Sequence, residues 1–143
     1  MNTINYRIKS MQVVNSSIDP DQYIEEGKLQ IHNSLSFTMA VNECLLLCRH
    51  SLSLKKNDNV FAKITLETIF SITPDSVEGM KVNDKLEIPR GFLVQCGSIS
   101  YGTLRGVVLK CANDVGLDNV IIPPVFINTI IRDSMIIDLK ESK

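Results

Sequence analysis

Between Lys28 and Ile72 three runs alternate apolar and polar side chains at a period of two, and this alternation constrains the chain more than any other feature. From Lys28 to Ala40, Leu29, Ile31, Leu35, Phe37 and Met39 share one face, and Gln30, His32, Ser34, Ser36 and Thr38 share the other. Residues 41–54 repeat the pattern with Cys44, Leu46, Cys48, Leu52 and Leu54, and residues 60–72 with Ala62, Ile64, Leu66, Phe70 and Ile72. The polar run Lys55-Lys56-Asn57-Asp58-Asn59 suits a hairpin between the last two. Upstream, residues 4–18 alternate through Ile4, Tyr6 and Ile8 and then change parity to Met11 and Val13. That change predicts a strand with a bulge or bend near Lys9-Ser10. Residues 18–27 carry turn chemistry at Asp19-Pro20-Asp21 and read as a loop with room for one helical turn. Four successive strands with short connections predict an antiparallel meander.

The faces that should be wet are not wholly polar. Leu45, Leu47, Phe61 and Ile69 occupy odd positions opposite the stronger apolar stripe, where adjacent strands can bring them together. A patch of that kind is costly in water unless something covers it. Two readings stand side by side: a binding surface, or a sheet covered on both faces within an oligomer.

The second constraint lies between Pro89 and Pro124. Leu93, Cys96, Ser100, Leu104, Val107, Cys111 and Val115 recur at steps of three and four, which predicts one long helix from Pro89 to Val115. Pro89 suits its first turn and Gly116 its end. Gly91, Gly97, Gly102 and Gly106 lie inside that span, each costing on the order of 1 kcal/mol against alanine. Close approach of another backbone, a partner helix or the sheet beneath, would offset that cost, and a kink near residues 97–102 is the alternative. Residues 73–88 read as a loop with a short helix. After a crossover over residues 116–124, Ile127, Ile130, Ile131 and Met135 fit helical spacing, so a second helix is expected over Val125–Leu139, although its β-branched content would equally suit a strand.

Candidate catalytic groups are poor. Cys48 and His50 lie two apart on one strand face, about 7 Å apart, too far for a nucleophile and its base, so both read as core residues. Glu25 and Glu26 sit in a polar loop with no apolar enclosure to raise a pKa. The glycines fit no phosphate-binding pattern, and Cys44, Cys48, Cys96 and Cys111 form no CxxC pair beside the two histidines, His32 and His50. Neither enzyme activity nor any metal or cofactor is expected. The formal net charge of −1, with 22% charged residues mixed along the chain, offers no basic footprint for nucleic acid or anionic lipid. The N-terminal residues lack a secretory leader and no apolar run reaches the roughly 18 residues of a membrane helix, so a cytoplasmic location with free thiols is expected. At 143 residues and 44% hydrophobic, the chain suits one domain spanning 1–143.

Several phrases resemble a known family. Tyr101, Leu104-Arg105, Gly116, an extended run closing on Ile122-Pro123-Pro124, and Phe126 look like the helix, crossover and second-helix region of the SecB export chaperones. Ile69-Phe70-Ser71-Ile72 is similar to the end of that family's fourth strand. The resemblance implies an α+β fold in which a four-stranded antiparallel sheet carries two C-terminal helices on one face. It also implies dimers that pack through their long helices into a tetramer, with Gly97, Gly102 and Gly106 at the helix packing. Its implied activity is nucleotide-independent holding of unfolded polypeptide in apolar grooves, by hydrophobic contact and strand-edge hydrogen bonds. Groove-lining residues are expected among Leu45, Leu47, Phe61, Tyr101, Ile121, Ile122 and Phe126; for Tyr101 and Phe126, packing between helix and sheet is an equal alternative.

Departures from the family matter as well. The shared Ile-Phe-Ser-Ile phrase places Lys63 where members that dock on the SecA motor present an acidic residue, and no zinc-binding tail follows the last pattern before Lys143. A reversed charge disfavours that docking partner. Protein export through SecA is therefore doubtful, and a dedicated client, such as the antitoxin served by some relatives, is the natural variant. An oligomeric interaction protein that keeps the fold for one folded partner is the alternative.

Overall fold

The computed structural model describes residues 3–118, 120–124 and 127–140. The alternating runs form β1 (Tyr6–Ile18), β2 (Leu29–Ala40), β3 (Leu45–Lys56) and β4 (Asn59–Ile72), all antiparallel in one sheet. Two tight links set three of these strands in sequence. Asn57 and Asp58 take φ values of 50° and 67°, the left-handed geometry of a two-residue hairpin turn between β3 and β4. Between β2 and β3, Val41–Glu43 makes a single 3-10 turn and Cys44 reverses the chain at φ 55°, so the third strand starts at Leu45 rather than at residue 41.

The strand order is β1-β4-β3-β2, which corrects the expected meander. Only β2, β3 and β4 follow one another; β1 lies beside β4, in a Greek-key arrangement. Residues 19–28 are too many for a tight hairpin, and they cross the ends of β4 and β3 instead. Pro20–Gln22 forms one 3-10 turn there, Asp19 N–H donates to the Phe61 carbonyl at 2.8 Å, and Tyr23 packs edge-on against Phe61 with ring centroids 5.1 Å apart. β1 shifts register between Ile8 and Ser10, at the expected bulge, and again between Val13 and Asn15.

Beyond β4, Thr73 caps a short helix, α1 (Pro74–Gly79), and a hairpin of β5 (Lys81–Val82) and β6 (Lys85–Ile88) follows. The long helix α2 spans Arg90–Asp114. Its end is closed by Gly116 at φ 84°, with Gly116 N–H on the Asn113 carbonyl and Leu117 N–H on the Ala112 carbonyl, the paired bonds of a Schellman motif. The second C-terminal helix expected over Val125–Leu139 is corrected. Val125 and Phe126 lie outside the described residues; Ile127–Thr129 is one 3-10 turn, and β7 (Met135–Asp138) pairs with β6. The cause is the β-branched pair Ile136-Ile137 beside a waiting strand edge: Ile137 sits opposite Leu86 and Met135 opposite Ile88. A small sheet of order β5-β6-β7 thus stands where a helix was expected.

The core lies between α2 and the even-numbered face of β3 and β4. Leu46, Cys48, Leu52, Leu54, Ile64, Leu66 and Phe70 meet Leu93, Cys96, Leu104 and Val108, all at 3% exposure or less. Each large apolar side chain buried this way contributes about 1.5–3 kcal/mol. α2 lies over β3 and β4 and leaves β2 partly uncovered, so the odd residues of β2 are half-buried along its whole length.

Candidate functional site

The residues expected to line a groove fall on opposite sides of the sheet. Leu45 and Leu47 face away from α2, half-buried, with Leu47 opposite Ile69 in a row that continues to Thr38 and Ser10. The next row holds the Arg49–Glu67 ion pair at 2.9 Å, and serines and threonines fill much of the rest of that face. Phe61 is not part of an open patch. The register irregularity between Leu54 and Lys55 turns it under Tyr23, where it is 2% exposed. Lys63 is exposed on this face.

Tyr101, Ile121 and Ile122 lie on the other side, where α2 meets the crossover. The Tyr101 hydroxyl donates to the Pro123 carbonyl and Arg105 Nε donates to the Ile122 carbonyl, each at 2.9 Å, so the crossover is strapped to the helix. Tyr101 and Ile122 are buried by this arrangement, whereas Ile121 is 67% exposed. Arg105, Gly106, Leu109, Val120, Ile121 and Ile122 enclose an apolar pocket of about 260 Å³. Phe126 lies outside the described residues.

The helix glycines divide in the same way. A Cβ on Gly97 would stand 2.8 Å from an Ile127 methyl and 3.1 Å from a Leu35 methyl, so this glycine admits side chains of its own chain. Gly102 and Gly106 have open space where a Cβ would point.

Two further pockets escaped the sequence reading. Leu35, Phe37, Leu93, Ile130, Ile131 and Met135, with Asp133 at the rim, line a pocket of about 270 Å³. A second, of about 390 Å³ and with a mostly polar lining surface, is bounded by Met39, Val41, Asn42, Lys81, Ile137 and Leu139. Leu35, Phe37, Met39 and Val41 advance along one wall as Met135, Ile137 and Leu139 advance along the other. The two pockets thus lie end to end as a trench along β2 and β7, which run the same way, apolar at the Leu35–Phe37 end and more polar at the Met39–Val41 end. Arg90 fixes the 127–131 turn at one end, through Nε on the Ile131 carbonyl at 2.9 Å and Nη2 on the Asn128 carbonyl at 2.6 Å. Alternation revealed that Leu35, Phe37 and Met39 share a face but not that α2 leaves that face uncovered; a heavier cover over β3 and β4 than over β2 has no local sequence signal.

Beside the Leu35 end of the trench, where His50 lies opposite Leu35 in the sheet, is a buried polar strut. His50 is 0% exposed; its Nε2–H donates to Asn33 Oδ1 at 2.7 Å, the Ser100 hydroxyl donates to its Nδ1 at 3.1 Å, and its ring stacks on Tyr101. β2, β3 and α2 are joined through this one ring. Burial lowers its pKa to about 4, so the ring is neutral at pH 7. Burial also pushes the Cys48 and Cys96 thiols up to about 12. The thiol next to His50 is thus protonated and closed to solvent, which suits packing rather than nucleophilic attack. Among the described residues no group of three His, Cys, Asp or Glu side chains could hold a metal ion, and no helix is long and apolar enough to cross a membrane.

Four antiparallel strands in the order β1-β4-β3-β2, with a long helix across one face, define an α+β fold of the SecB-like type. No protein-family model and no curated protein matches the chain. A solved structure does: the Mycobacterium tuberculosis SecB-like chaperone Rv1957, in complex with a ChAD peptide from the Rv1956 HigA1 antitoxin, superposes with a TM-score of 0.60 at 10% identity, over 84% of this chain and 89% of that one. At that identity the likeness is one of fold.

Proposed function

We propose that this chain is a SecB-like chaperone or adaptor that holds non-native polypeptide without nucleotide hydrolysis. One observation carries the reading: an apolar pocket between β2 and the 130–135 segment, walled by half-buried Leu35, Phe37, Ile130 and Met135 on the helix side of the sheet. Apolar surface left in this state binds other apolar surface without demanding a particular sequence, which suits recognition of chains that have yet to fold. The fold neighbour was solved with a peptide bound, which supports a polypeptide client here as well. Leu45 and Leu47 on the outer face, with Ile121 on the crossover, would add contacts for a longer client. Tyr101 and Ile122 position the crossover. Gly102 and Gly106 would admit the helix of a second protomer, giving the dimers and tetramer that the resemblance implies. A dedicated cytoplasmic client fits better than export through SecA, because Lys63 reverses the expected charge on the outer face.

The test is suppression of aggregation of a chemically denatured protein, measured by light scattering, with wild type and with Phe37→Asp. Phe37 is half-buried, so its replacement puts a charge in the trench while leaving the buried core intact. Holding should fall severalfold in the variant while its circular dichroism spectrum is unchanged. Absence of holding by the wild type would contradict the function, and full holding by a folded Phe37→Asp variant would contradict the trench.

A further inference from the structure

Charges that are mixed along the chain are sorted by the sheet. On the face turned away from α2, the paired positions carry four cations, Arg7, Arg49, Lys55 and Lys63, and one carboxylate, Glu67, in a chain whose basic and acidic residues number 15 and 16. Glu67 is already bonded to Arg49 at 2.9 Å. Arg7, Lys55 and Lys63 make no ion pair among the described residues. This face is basic although the protein is not.

The face also has two ends. Lys63 lies opposite Ser53, and Lys55 is two residues further along β3, so the two lysines are diagonal neighbours about 7–8 Å apart. Leu45, Leu47 and Ile69, half-buried, occupy the other end, and from Leu47 to Ser53 the strand advances about 20 Å.

This pattern selects the occupant. A second copy applied through the same face would set cation against cation. A nucleic acid strand would find no aromatic side chain to stack on, since Phe61 is turned under Tyr23. A membrane requires apolar side chains that project from the surface, and these three are half-buried among their neighbours. A polypeptide that presents carboxylates about 20 Å from an aliphatic contact meets both ends at once.

We infer that the outer face of the sheet docks an acidic polypeptide partner distinct from the held client, with carboxylates on Lys55 and Lys63 and aliphatic side chains on Leu45, Leu47 and Ile69. The trench lies on the opposite face, so holding and docking are separate functions of one sheet. A client long enough to reach Leu45 and Leu47 competes with this partner for them.

The experiment titrates fluorescein-labelled peptides of about twelve residues, leucines at one end and glutamates at the other, by fluorescence anisotropy; a control peptide has glutamine in place of each glutamate. Wild type should bind the glutamate peptide about tenfold more tightly than the glutamine peptide, and salt at about 0.5 M should remove most of that difference. Lys55→Glu with Lys63→Glu should invert the preference, and Lys63→Glu alone, at an exposed position, should weaken the glutamate peptide about three- to fivefold. Leu47→Ser should weaken both peptides alike. Phe37→Asp should leave both affinities unchanged, and the doubly reversed variant should hold a denatured protein as well as wild type does. Equal affinity for the two peptides, or a preference that survives reversal of both lysines, would overturn this proposal and leave the holding function in place. Tighter binding of a thymidine oligonucleotide of equal charge, or of phosphatidylserine vesicles, would overturn it too. Absence of holding by a wild type that keeps its glutamate preference would overturn the holding function alone.

Discussion

Acidification should unfold this protein through one buried ring. His50 has no solvent exposure, and both ring nitrogens are already engaged, Nε2–H with Asn33 and Nδ1 with the Ser100 hydroxyl. A proton arriving at Nδ1 would displace the hydroxyl's hydrogen and place a full charge between sheet and helix. Burial therefore lowers the pKa from 6.5 to about 4. In the unfolded chain the ring titrates near 6.5, so as the pH falls the unfolded state takes up the proton first. The stability contributed by the neutral ring is complete above about pH 6.5 and is lost progressively toward pH 4, by about 3 kcal/mol at about 1.4 kcal/mol per unit. His50→Gln removes this titration. At pH 7.5 the variant should be less stable than wild type by about 1–3 kcal/mol, because Asn33 and Ser100 lose a fitted partner. Urea unfolding followed by circular dichroism at several pH values between 7.5 and 4 gives the difference directly, and the carboxylates common to both proteins cancel. The wild-type advantage should shrink by about 3 kcal/mol across that range. A difference that stays flat would refute the account of His50 as a neutral strut.

Two further outcomes follow from the helix and the thiols. Gly97→Ala should lower thermal stability, since its Cβ would stand 2.8 Å from Ile127, while Gly102→Ala and Gly106→Ala should each raise monomer stability by about 0.5–1 kcal/mol, since nothing lies near the added methyl. If a second protomer's helix packs there, the same two substitutions should weaken the oligomer in size-exclusion chromatography, and an unchanged oligomer would place that interface elsewhere. Of the four cysteines, half-buried Cys44 and Cys111 should react with a thiol reagent at pH 8 within minutes, whereas Cys48 and Cys96 should react only on unfolding; rapid reaction of all four would show that the core opens.

Much of the sheet was legible because its signals are local. Period-two alternation defines β2, β3 and β4; Asn57-Asp58 specifies their hairpin; the change of parity after Ile8 reports the first bulge of β1. The helix was legible for the same reason, with Gly116 closing it. What was hidden depends on partners distant in sequence. The pairing of β1 with β4 rather than β2 is decided by how residues 19–28 cross the sheet. Ile136 and Ile137 suit either a helix or a strand, and the β6 edge, not their own pattern, makes them β7. Phe61 looked like an open-face residue until one register irregularity turned it under Tyr23. The trench is the largest such case. Leu35, Phe37 and Met39 have the pattern of core residues, and only the placement of α2 over β3 and β4 leaves them half-exposed.

The central claim is that this fold holds unfolded polypeptide, and mass measurement by light scattering during size exclusion tests it most directly. The protein is run alone and then with an excess of a reduced, carboxymethylated protein that cannot fold. The account predicts an oligomer that co-elutes with the unfolded chain at the summed mass. An oligomer that keeps its own mass and elutes apart from the unfolded chain would contradict it.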